Sequence, residues 1–256
     1  VGIILKPGNL KIALCFSGQP RTWRKCIESW KQHVIQNNNV DIFCHLWDYN
    51  SIPNSIADGP ADTWLSPEGD LAELIGILNP KKYIIEPAKT FVPIRKNQPI
   101  VFSNFLSQYY GIMSSARIKR EYEIENMIQY DIVIRMRYDA FFTAPVIYNQ
   151  HPSVIEDNSM YCFHVGWDHL TNSGRLGDIF WYSDSQTYDI LADYYLNIHT
   201  IKLKYSFNRK PDMHQLFFHY AKKNNIKLIV NHWDIKLFRE SAELAFSKGK
   251  DGFEIW

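Results

Sequence analysis

Up to Glu86 the chain alternates short apolar runs with amphipathic segments, and this order leaves few folds open. KIALCF (11–16), VDIFCHLW (40–47) and KYIIE (82–86) are short and mostly apolar, as buried strands are. After the first run comes Ser17-Gly18-Gln19-Pro20-Arg21, with Gly18 to turn the chain and Pro20 suited to a first helical position. Trp23, Cys26, Ile27, Trp30 and Val34 then recur at helical spacing, and Asn37-Asn38-Asn39 ends that helix. Ser66-Pro67-Glu68 opens a second helix with Leu71, Leu74, Ile75 and Leu78 as its stripe, and Asn79-Pro80 stops it. The β-α-β-α-β order predicts parallel strands with right-handed crossovers, an open Rossmann-like α/β sheet flanked by helices.

Residues 87–103 read as irregular. A long helix is expected from about Asn104 to Met127, with Leu106, Tyr109, Tyr110, Met113 and Ala116 on one face. Lys119, Arg120, Glu121, Glu123 and Glu125 read as its solvated surface. DIVIRMR (131–137) is the clearest strand. Beyond it the pattern is mixed: MYCFHVGW (160–167), DIFWYS (178–183) and KLIVNHW (227–233) read as strands, and 185–199 and 211–224 as helices. Gly174 and Gly177 around Arg175 predict a flexible or closely packed loop. No linker, repeat or low-complexity segment divides the chain, so a single domain over 1–256 is expected.

Lys and Arg number 28 against 27 Asp and Glu, a net charge of +1, so no global field attracts nucleic acid and any anion site must be local. Aromatic residues make up 15%, which fits either a ring-rich core or a cleft with flat apolar walls. Cys15, Cys26, Cys44 and Cys162 form no CxxC pair and read as buried free thiols of a reducing compartment. No apolar run approaches the roughly 18–20 residues of a membrane span, and VGIIL, followed by Lys6 and Pro7, is too short for a signal-peptide core. A cytoplasmic protein is expected, and the start at Val1 leaves open a longer parent chain with additional domains.

The strand DIVIRMRYD carries the strongest chemical signal. At a period of two, Ile132, Ile134, Met136 and Tyr138 share one face, and Asp131, Val133, Arg135, Arg137 and Asp139 the other. An unpaired buried charge costs several kcal/mol, so these charges must be paired, hydrated or in contact with a ligand. Two readings stand: an internal ion-pair network of Arg135 or Arg137 with Asp131 or Asp139, or a polyanion site with an acid beside it. Arginine grips phosphate oxygens in a fork, and ligands of open α/β sheets sit beyond the carboxyl ends of the strands, where Arg137 and Asp139 should emerge.

The run Tyr130-Asp131-Ile132-Val133-Ile134-Arg135-Met136-Arg137-Tyr138-Asp139, after the Tyr-rich helix SQYYGIMSSARIKREYE, resembles bacterial and viral glycosyltransferases of the GT-A fold. The likeness is to enzymes of lipopolysaccharide and surface-glycan synthesis, with an R-x-R-x-D strand end where others carry D-x-D. KIALCFSGQPRTW fits the first strand and small-residue loop of that group, GDIFWYS resembles its later acceptor-side segment, and the resemblance spans about Lys11 to His232. It implies transfer of a sugar from a nucleotide-diphosphate donor to a glycan hydroxyl, with a donor half at about 11–139 and an acceptor half at about 140–256. Ser17, Gly18, Gln19 and Arg21 would line the donor site, joined by Arg135 and Arg137. Asp139 matches the acid of the D-x-D-like motif and, with His232, would hold Mn²⁺ or Mg²⁺. Position 137 is Arg where the usual motif has its first Asp, and one carboxylate is a poor ligand set, so metal dependence stays open. Arg135 or Arg137 would then neutralise the leaving diphosphate in the metal's place. Asp178 would contact the acceptor and act as general base.

Each of these groups also has a plain structural reading. The SGQPR turn is either an anion site at a helix start or a simple strand-to-helix turn, and the absence of GxxxxGK[ST] disfavours a P-loop NTPase. Asp178 is equally a turn or cap residue. His232 and His214 are either metal or diphosphate contacts or histidines bonded to backbone, and Asp212 complements a helix dipole. His45, Trp47 and Asp48 end the second strand within reach of a nucleotide, or pack. Trp167, Asp168, His169, Trp181 and Tyr182 are core residues or an acceptor platform. Two other functions compete. Gly18-Gln19-Pro20-Arg21-Thr22 faintly resembles the phosphosulfate loop of sulfotransferases, and a non-catalytic glycan- or nucleotide-binding module of a longer protein needs no catalytic group.

Overall fold

The computed structural model describes residues 10–20, 22–48, 70–89, 91, 101–146, 155–162, 165–168, 173–201, 213–230 and 235–237. Strands β1 (Ile12–Gly18), β2 (Val40–Asp48) and β3 (Lys82–Pro87) alternate with helices α1 (Trp23–Trp30) and α2 (Asp70–Leu78). The long α3 (Val101–Asn126) leads into β4 (Ile132–Met136). Then follow β5 (Ala140–Phe142), β6 (Ser159–Cys162), β7 (Val165–Asp168), β8 (Ser173–Leu176) and β9 (Phe180–Ser183). The last described elements are α4 (Ser185–Ala192), α5 (Tyr194–Asn197), α6 (Met213–Lys223), β10 (Lys227–Val230) and β11 (Ile235–Leu237).

A seven-stranded sheet has the order β10-β6-β9-β4-β1-β2-β3. Strands β3, β2, β1 and β4 are parallel, as are β6 and β10, and only β9 runs against its neighbours β4 and β6. The fold is therefore the expected α/β architecture, a mainly parallel sheet with helices on both faces. On one face α3, α4 and α6 bury Tyr109, Ala116, Leu191 and Phe217 against Ala13, Cys15, Phe43 and Val133. On the other, α1 and α2 bury Trp23, Trp30, Leu74 and Leu78 against Leu14, Phe16, Ile42 and Ile134. Burial on both faces is why these strands are mostly apolar.

Local signals acted where they were read. Asn79 takes φ +45° and ends α2. The first helix begins at Trp23 with Thr22 as its N-cap, not at Pro20. The 185–199 helix is divided into α4, α5 and a short 3₁₀ turn (Ile198–Thr200). The 160–167 strand is two elements: β6 joins the main sheet, and β7 pairs with β8 in a separate antiparallel ribbon. The Gly174 loop is strand β8, and of its two readings close packing holds, because a Cβ on Gly174 would lie 2.3 Å from the Phe218 ring. The solvated face of α3 needs correction: Lys119 is fully buried, bonded to Glu123 at 2.9 Å and Ser185 at 2.6 Å. Ser66-Pro67-Glu68 and residues 231–234 lie outside the described residues.

The connections place the site. From β1 the chain steps outward to β2 and β3, then crosses back along α3 to put β4 on the other side of β1. The strand order reverses between β1 and β4, and a crevice opens at such a point beyond the carboxyl ends. Here those ends are Gly18 and Met136.

Candidate functional site

At the end of β4, Arg135 is fully buried on the α3 face, level with Cys15 of β1. Its guanidinium turns up to the last peptides of two strands, donating to the Ser17 carbonyl oxygen at 3.2 Å and to that of Met136. Burial pulls its pKa below the ordinary guanidinium value. Arg135 thus fastens the lips of the crevice from beneath.

Arg137 follows the strand, its backbone N–H donating to the Ile179 carbonyl at 3.2 Å. Its side chain forks onto Asp139, Nε to Oδ1 at 2.8 Å and Nη2 to Oδ2 at 2.6 Å, while Nη1 reaches Asp178 Oδ2 at 3.2 Å. The three side chains are 14%, 1% and 8% exposed. Asp178 gets there because β9 is antiparallel: its first residue, Phe180, pairs with Met136, so the residues before it stand at the carboxyl edge. Burial opposes the Arg137 charge, but the two aspartates outweigh it and raise its pKa. Burial likewise pushes Asp178 up, but the Arg137 charge, aided by His214 and Arg135, holds its carboxyl below the usual value. The ion-pair reading of this strand therefore holds for Arg137 with Asp139. Asp131 sits at the other end, accepting from the Lys11 N–H at 2.8 Å.

Across the crevice, Ser17 is fully buried with its Oγ unpartnered, and Gly18 takes φ +115°, a conformation that favours glycine. Gln19 is 9% exposed. Arg21 and His232 lie outside the described residues. Beside this turn His45 is buried next to Ser17 in register, with Nε2 3.3 Å from Glu86 Oε1. Burial lowers the His45 pKa, and the His45 hydrogen bond, with Lys89, holds Glu86 down to about 2. Trp47 stacks on Tyr110 with centroids 5.4 Å apart, and Lys89 lies over that tyrosine ring. Sequence reading missed Glu86 as the partner of His45, with Lys89 and Tyr110 bonded to that carboxylate; the signal was the acid that ends KYIIE. Trp181 and Tyr182 are buried in β9 and belong to the core.

His214, in the first turn of α6, is half-buried, with Nδ1 2.8 Å from the Leu176 carbonyl oxygen. A cleft of about 470 Å³ lies elsewhere, between the end of α3 and α4, lined by Glu123, Ser185 and Asp189 among others. It borders the start of β4 and is remote from the crevice.

The donor set as arranged does not fit a divalent cation. Arg137 occupies both Asp139 oxygens and one of Asp178, and among the described residues no three His, Cys, Asp or Glu side chains converge as ligands. What the arrangement offers is a fixed guanidinium. Three of its five N–H donors go to the aspartates, and the other two bond to no described residue. Among the described residues no helix is long and apolar enough to cross a membrane. Comparison of the sequence with known protein families and with curated proteins finds no match.

Proposed function

We propose that this chain is a glycosyltransferase of the GT-A type, moving a sugar from a nucleotide-diphosphate donor to a hydroxyl of a glycan acceptor. One observation carries the reading: a half-buried guanidinium, held by Asp139 and Asp178, stands at the strand-order reversal beside the Ser17-Gly18 turn. A diphosphate in that crevice would meet a preorganised cation on one side and the backbone of the β1 turn on the other. Arg137 then supplies the electrostatic stabilisation that a leaving diphosphate needs. Its aspartates prevent it from reorienting, so little reorganisation is spent at the moment of reaction. Gln19 extends the donor side. The four free, buried cysteines suit the reducing cytoplasm in which we place the enzyme.

Isothermal titration with UDP, GDP, CDP and dTDP, each in EDTA and in Mn²⁺, tests the reading. Binding in EDTA is expected of an arginine-held diphosphate. Binding that requires Mn²⁺ would remove Arg137 from this role, and no binding to any of the four would overturn the reading.

A further inference from the structure

His214 is held more rigidly than a surface histidine needs to be. A carbonyl oxygen can only accept, so in the neutral ring the contact with Leu176 puts the proton on Nδ1 and leaves Nε2 with its lone pair. No described residue bonds to Nε2. The ring packs edge-on against Phe105, with centroids 5.2 Å apart. One turn further along α6, Phe218 is seated on Gly174, where no side chain would fit. His214 and Phe218 share a helix face, so one face of α6 meets β8 at both the Leu176 carbonyl and Gly174. Leu176 leads through Gly177 to Asp178, so the strand that fixes the imidazole also delivers the carboxylate that holds Arg137.

We propose that His214 Nε2 is the general base for the attacking hydroxyl, a role that rests on the glycosyl-transfer reading. Asp178 is unsuited to it, because its carboxylate is committed to Arg137 and held below its usual pKa. Instead, Asp178 positions Arg137. Nε2 takes the proton of the acceptor hydroxyl as that oxygen bonds to the anomeric carbon. The bond from that carbon to the diphosphate oxygen breaks, and its electron pair leaves with the nucleoside diphosphate toward Arg137. The imidazolium then returns its proton to solvent. A single displacement of this kind inverts the anomeric centre.

The test compares wild type with His214→Asn, whose amide nitrogen takes the place of Nδ1 and can still donate to the Leu176 carbonyl. Nucleoside diphosphate affinity is measured first, and wild type that binds none overturns the glycosyl-transfer reading and this role with it. Donor cleavage is then followed with UDP-glucose, UDP-galactose, UDP-N-acetylglucosamine and GDP-mannose, water serving as acceptor. H214N should keep its nucleotide affinity and lose about 10²–10⁴-fold in turnover. Unchanged turnover, or a parallel loss of affinity, would overturn the role alone. Nitrogen-15 NMR of the wild-type ring reads the tautomer without any turnover: Nδ1–H is expected, and Nε2–H would refute the assignment.

Discussion

Arg137 grips both carboxylate oxygens of Asp139, two residues further along the chain, through Nε and Nη2. Neither residue is in β4, which ends at Met136. The fork therefore forms in the turn at the strand's exit, where the guanidinium can also reach Asp178.

Removing Arg137 strands two buried carboxylates. Breaking a buried pair from one side costs about 3–5 kcal/mol, and Arg137→Met should lose that much in urea unfolding. The triple variant Arg137→Met, Asp139→Asn, Asp178→Asn removes all three charges of the cluster together and should recover part of it. Nucleoside diphosphate binding should be lost in both. A triple variant that binds like wild type would make the cluster purely structural.

Arg135 is a different case, since its hydrogen bonds to the described residues go to backbone. Arg135→Met leaves the Ser17 and Met136 carbonyls without that donor, at about 1–3 kcal/mol for each one left unsatisfied. Urea unfolding measures the loss, and a stability equal to wild type would show that water replaces the guanidinium.

Gly174→Ala drives a methyl into Phe218. Overpacking of this sort costs about 1–3 kcal/mol, read as a lowered melting temperature. Adding Phe218→Leu should restore part of it. No recovery would mean that the strain lies in the β8 backbone.

Two carboxylates should shape the pH dependence in opposite directions. Burial, against the pull of Lys119, pushes Asp189 up to about 6 from 3.8. Between those values the folded chain takes up a proton that the unfolded chain does not, so stability rises as pH falls through the window. Glu86 is held at about 2 against 4.5, so its contribution is present above 4.5 and is lost as pH falls toward 2. Unfolding curves from pH 3 to 8 should show Asp189→Asn flattening the first slope and Glu86→Gln the second. An unchanged profile in either variant would remove that residue from the balance.

The sequence by itself determined strands β1 to β4, the helices between them and the charges that stand at the end of β4. Periodicity is a local property, and β1, β2, β3 and β4 each carry it within their own residues. RMRYD and SGQ were also legible, because charge or glycine at the end of an apolar run is visible without any partner. Which residues meet was decided by tertiary structure. Nothing local makes β9 antiparallel, yet that reversal is what brings Asp178 to Arg137, 41 positions away. Lys119 reads as solvated on α3 until α4 lies over it with Ser185 and Asp189. His214 and Leu176, 38 positions apart, meet only because α6 packs on β8 through Gly174. A pattern of period two or 3.6 sets which way a side chain points. What it points at depends on contacts between distant segments, which the packing of the whole sheet selects.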